Sequence, residues 1–181
     1  MLKISRGQLP LILGAALLSA SVLTAAAQAQ MTGAAAIKQI DTECNAIQDA
    51  VMALHPIHVA YKSGQWLVVS DANYMAAQKV GASLTLADVY KQGTRYAWVQ
   101  SHTFDSSGKQ RATQLCFRQS DGTLERARQA TTVPSLAAGG AEQAYYTSGG
   151  KLIQKTTLFE QNDPMLAKRI SALPFFAVLP H

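Results

Sequence analysis

The sequence predicts an α+β fold: one amphipathic helix near the amino terminus packed on a curved antiparallel β-meander, with short covering helices and a helix near the carboxyl end. Three observations carry this. A single stripe of apolar residues at helical spacing runs from Ile37 to Leu54. From Arg95 onward, strand-like stretches alternate with Gly-ended turns. The chain has two cysteines, one in each of those regions.

The first residues are an address. "MLKISRGQ" carries Lys3 and Arg6 without an acid, "LPLILGAALLSASVLTAA" is apolar and small, and Ala27-Gln28-Ala29 is a small-x-small cleavage box. That order describes a secretory signal peptide, 1–29, cut after Ala29, with 30–181 as one globular domain. No lipobox cysteine or Arg-Arg pair accompanies it, and no later stretch is apolar enough to span a bilayer. A periplasmic or secreted protein with no stable membrane span after cleavage is expected, and nucleic acid is disfavoured as a partner by compartment.

The 181 residues carry a net charge of +5. Without Lys3 and Arg6, 14 basic residues face 11 acidic ones, a mild +3. Between Lys91 and Arg128 there are seven basic residues and three acidic ones. Such a stretch is either the solvated side of a sheet or a surface for an anionic envelope component.

In "TGAAAIKQIDTECNAIQDAVMALHP", Ile37, Ile40, Cys44, Ile47, Val51 and Leu54 recur at alternating spacings of three and four, with Lys38, Asp41, Asn45 and Gln48 off the stripe. Pro56 disfavours helical angles at His55 and is expected to stop the helix there. "IHVAYKSGQWLVVS" reads as two short strands around a Ser-Gly turn. "DANYMAAQKVG" reads as a short helix, and so does "TLADVYKQG", whose Thr85-to-Asp88 spacing imitates a capping box before Gly93.

Five strands follow. "RYAWVQSHTF", "QRATQLCFRQ" and "TLERARQATT" are joined by "DSSGK" and "SDGT", and "EQAYYT" and "KLIQKTTLFE" by "SGG". Each turn is expected to be a three-residue loop ending on a left-handed Gly. Pro134 and the Gly139–Gly140 pair make 131–141 a connector. "NDPMLAKRISAL" suits a helix capped by Asp163 with Pro164 at its first position, and apolar "PFFAVLP" must pack on the body or a partner.

With Ser106–Gly108 as the loop, Asp105 faces Lys109, Trp98 lies opposite Cys116, Tyr96 opposite Arg118 and Phe104 opposite Gln110. Alternation then gives Tyr96, Trp98, His102, Phe104 and Cys116 one face, the bed for the helix whose stripe holds Cys44. A disulfide between Cys44 and Cys116 follows for an exported chain. For the next strand, a two-residue turn pairs Arg118 with Glu125 and a three-residue loop pairs it with Leu124; both registers are open.

Chemistry-bearing motifs are few. There is no G-x-S-x-G elbow, phosphate loop or C-x-x-C pair. His55 and His58 have a metal-like spacing, but Pro56 is expected to separate them, and His102 and His181 lie elsewhere. No metal site, no cofactor and no catalytic residue is therefore assigned. The disulfide accounts for Cys116 between Arg111 and Arg118 better than a nucleophile does. Tyr61, Trp66, Tyr96, Trp98, His102 and Arg118 are the candidate ligand-binding residues. Two functions are carried forward: a non-enzymatic binding module for a small apolar or anionic envelope-type ligand, and a small hydrolase or metal-assisted enzyme using the His-Pro-Ile-His segment.

Overall fold

A computed structural model describes residues 33–78, 84–104, 109–132, 143–156, 163 and 165–181. The expected signal peptide, the 105–108 hairpin tip, most of the 131–141 connector and Pro164 lie outside the described residues. The core is an eight-stranded antiparallel sheet that does not close, in the order β2-β1-β3-β4-β5-β6-β7-β8. Its strands are β1 Ile57–Lys62, β2 Gln65–Val68, β3 Leu84–Gln92, β4 Arg95–Phe104, β5 Gln110–Phe117, β6 Leu124–Thr132, β7 Gln143–Ser148 and β8 Lys151–Lys155. Among the described residues two α-helices accompany them, α1 Gly33–Val51 and α2 Asp71–Gln78.

The turns follow from backbone chemistry. Ser63 and Gly64 both have positive φ (52° and 85°) between paired Lys62 and Gln65, the geometry of a type I′ hairpin turn whose twist matches the strands. Gly149 and Gly150 do the same between Ser148 and Lys151. That turn therefore has two residues rather than the expected three.

β3 replaces an expected helix. The local capping spacing at Thr85 yields to tertiary context, because Leu86, Ala87 and Val89 are fully buried on the two sides of a strand held between β1 and β4. Gly93, expected to stop a helix, starts the turn into β4 with φ 63°.

Alternation assigns each strand residue to one of two sheet faces. On the first, Tyr90, Trp98, Cys116 and Tyr146 pack with Ile40, Cys44 and Val51 of α1. Ala60 and Leu86 pack there with Tyr74 of α2. The helix stripe stops short of its expected end. α1 finishes at Val51, and Leu54 is 48% exposed.

The second face is covered by the carboxyl-terminal segment. Val59, Ala87, Val89, Val99, Leu115, Phe117 and Ala127 form one core with Met165, Ile170, Leu173, Phe175 and Leu179. The apolar tail thus tucks against the body, each fully buried large side chain contributing about 1.5–3 kcal/mol over exposure.

The helix expected over 162–173 is absent from the described residues there. Asp163 instead accepts a hydrogen bond from the Met165 amide at 2.8 Å. The Leu124 amide donates to Lys168 O, the Ile170 amide donates to Gly122 O, and Thr123 bridges Arg169. Backbone groups that a helix would satisfy internally are satisfied by the β5–β6 hairpin, leaving only short 3-10 turns at Ile170–Ala172 and Phe176–Val178.

Candidate functional site

Register brings polar side chains together on the helix-covered face. His58 pairs with Asp88, Asp88 with Gln100, Gln100 with Gln114, and Gln114 with Arg128, one row across five adjacent strands. The next row is Ala60, Leu86, His102, Ala112 and Ala130. Below α1 and α2 this face is largely apolar, with Arg126 and His58 as polar exceptions. Between those covered areas Asp88, Gln100, His102, Gln114 and Arg128 are half-buried, and Ala130 is exposed.

The band is internally organised. The His58 Nδ1–H donates to Asp88 Oδ1 at 2.7 Å, since an ionised carboxylate can only accept. The Gln100 and Gln110 amides approach the two ring nitrogens of His102 at 3.2 and 3.1 Å. A neutral imidazole, with one N–H and one lone pair, accepts from one of these amide nitrogens, and the other amide suits it when turned so that its oxygen accepts the ring N–H. Burial lowers the His102 pKa from its usual 6.5, against an opposing influence of Asp88.

At the α1 edge Arg126, 1% exposed, donates through Nη1 to Asp41 Oδ1 at 2.8 Å and Asn45 Oδ1 at 2.9 Å. Its guanidinium lies 5.9 Å from the Trp98 ring centroid. Burial lowers the Arg126 pKa although the Asp41 hydrogen bond raises it. Burial, with Asp41 beside it, raises the Tyr146 pKa.

The candidate residues read from the sequence do not share one cleft. Trp98, 1% exposed, lies beneath α1, and His102 belongs to the band. Tyr96 lies on the opposite face, a correction to the single aromatic face. The register slips between Tyr90 and Lys91, so that Trp98 pairs with Tyr90 but Tyr96 with Lys91, and the extra residue reverses Tyr96. There it contacts Phe176 and its hydroxyl donates to Pro180 O. Tyr61 and Trp66 meet at a tilt at the β1–β2 edge of the same face, and Trp66 meets Phe175 edge-on. Arg118 sits past the end of β5, its Nε donating to Glu125 Oε1 at 2.7 Å, which raises its pKa.

The third-strand register follows the three-residue-loop arithmetic from Gln110↔Thr132 to Cys116↔Arg126. It then slips by one at Phe117↔Leu124.

A second concavity, of about 490 Å³, lies beside Lys91, Arg95, Tyr96, Phe176 and His181. Its cations already hold backbone carbonyls. Lys91 Nζ donates to Pro180 O at 3.1 Å, and Arg95 Nη1 to Ser120 O at 2.7 Å. Lys91 thus ties the tail to β3, and Arg95 ties the β5–β6 turn to β4.

Cys44 and Cys116 are disulfide-bonded, with Cα atoms 5.8 Å apart. They form, with Glu125, the only trio of metal-type ligands among the described residues whose atoms lie mutually within 4.8 Å. The bond removes the thiolates a metal would need.

Sequence reasoning missed Asp88, Gln100, Gln114 and Arg128. Gln100 and Gln114 are opposite each other under the same pairing that places Trp98 across from Cys116, so that register could have found them. Asp88 was hidden by the helical reading of its segment. No family model, curated protein or solved structure matches the chain.

Proposed function

We propose that this protein is an exported, non-enzymatic binding module that holds a small amphiphilic ligand with an anionic or hydrogen-bonding head on the polar band. The observation that carries the reading is the half-exposed row Asp88, Gln100, Gln114 and Arg128 lying beside Ala112 and Ala130. A sheet face that serves only as a helix bed is mostly apolar. Here polar donors border a strip of small side chains, so a head group meets Gln114 and Arg128 while an apolar body lies over Ala112 and Ala130.

The compartment reading draws support from the disulfide. No helix among the described residues is long and apolar enough to cross a membrane. The hydrolase reading draws less support, because His58 Nε2 faces the Asp71 carboxylate at 3.6 Å rather than a hydroxyl or thiol.

Decanoate is the probe for the test, titrated by NMR into the disulfide-intact chain. Saturable shifts at the Gln100 and Gln114 side-chain amides, lost in Ala130→Trp without a change in melting temperature, are expected. No saturable shift, or shifts unaffected by Ala130→Trp, would overturn the proposal.

A further inference from the structure

We infer that His55, His58 and Asp71 form a binding site for a divalent transition metal at the start of α2. The inference does not rest on the amphiphile reading: it shares His58 and Asp88 with the polar band, but His55 and Asp71 lie outside that ladder. Pro56 does not separate the two histidines as the sequence suggested. α1 has already ended at Val51, and the chain turns so that both rings point at one carboxylate.

Two of the three ligand-atom distances match those of a coordination shell. His55 Nε2 is 3.3 Å and His58 Nε2 3.6 Å from the same atom, Asp71 Oδ1. Metal bonds of about 2.0–2.2 Å at tetrahedral angles put ligand atoms about 3.3–3.6 Å apart. Two of the three ligand edges are therefore set. The third, between the imidazole nitrogens, exceeds 4.8 Å. Binding an ion would require the exposed His55 and Asp71 side chains, 73% and 64% accessible, to rearrange around it while His58 stays in place.

His58 is held as a metal ligand is held. Its Nδ1–H donates to Asp88 Oδ1 at 2.7 Å, which places the lone pair on Nε2, facing the site. Its ring stacks on Tyr74 at 4.1 Å, and its side chain is 12% exposed. A carboxylate behind a histidine, fixing tautomer and ring plane, is the usual support of a metal-binding imidazole. Two imidazoles and a carboxylate suit zinc, copper or nickel rather than calcium or magnesium, and three protein ligands leave a position for water. A bound ion would also join the residues preceding β1 to the first turn of α2.

The competing arrangement is an ion pair of Asp71 with protonated imidazoles, and zinc binding separates the two. Isothermal titration of zinc into the disulfide-intact chain near neutral pH should show one site per chain with micromolar affinity. His55→Ala and Asp71→Asn, both at exposed positions, should each weaken it at least about 10-fold, and Asp88→Asn about 10–100-fold through the lost support. Zinc should shift the Nε2 resonances of His55 and His58 and leave that of His181 in place. Absence of a one-to-one isotherm up to millimolar zinc, or an affinity unchanged in both His55→Ala and Asp71→Asn, would overturn the inference.

Discussion

Cys44 on α1 and Cys116 on β5 are joined beneath the helix, both essentially inaccessible to solvent, and the bond ties the first described element to the middle of the sheet. The two residues are 72 positions apart. In the unfolded chain that bridge restricts a long loop.

Chain entropy for such a loop corresponds to about 4.4 kcal/mol of stabilisation, a large share of the ~5–15 kcal/mol typical of a domain. Reduction should lower the melting temperature markedly. Cys44→Ala and Cys116→Ala should destabilise by similar amounts, with little added in the double variant, because each removes the same bond. Two thiols titrating in the folded, oxidised protein would refute this.

Arg126 makes a second tie between α1 and the sheet, and it is a costly one to break. Asp41→Ala leaves a guanidinium that is 1% exposed without its carboxylate. We expect a loss of about 2–4 kcal/mol, toward the lower end because Asp41 itself is 31% exposed and partly screened. Adding Arg126→Met to Asp41→Ala should recover part of that loss in urea denaturation. A double variant less stable than Asp41→Ala would refute the assignment.

His102 gives the stability a pH dependence of known sign. Its folded pKa lies below the ordinary 6.5. Its contribution is therefore fully present above the unfolded value. As pH falls through 6.5 the unfolded chain takes up the proton first, and stability drops until the folded pKa is passed. Melting temperature should decline as pH falls below about 6.5, and decline less in His102→Gln. Parallel curves for the two proteins would count against it.

Gly122 and Gly93 both have left-handed backbone, φ 68° and 63°. A Cβ at Gly93 meets nothing, whereas one at Gly122 comes within 3.1 Å of Ile170 Cγ2 in the tail. Alanine at either position should destabilise by about 1–2 kcal/mol from backbone strain alone, and Gly122→Ala should be the worse. Equal melting temperatures would show that the tail yields without penalty.

The sequence by itself determined what depends on short-range periodicity. The stripe through Ile40, Cys44 and Val51 marks one helix face, and the turn residues set the β4–β5 register that puts Trp98 opposite Cys116. The cysteine pairing followed from those two patterns. Tertiary structure decided what depends on competition between distant groups. Thr85 to Gln92 has local features of a helix start, yet two neighbouring strands and burial on both sides make it β3. The segment around Met165 to Leu173 could cap its own helix, but the β5–β6 hairpin supplies its backbone partners instead. One extra residue in β4 turns Tyr96 away from Trp98, which an alternating pattern cannot reveal. His55, His58 and Asp71 meet because α1 ends early and α2 begins beside β1. Three side chains separated by loops and a strand pair have no common period in the sequence, and only the path of the backbone brings them together.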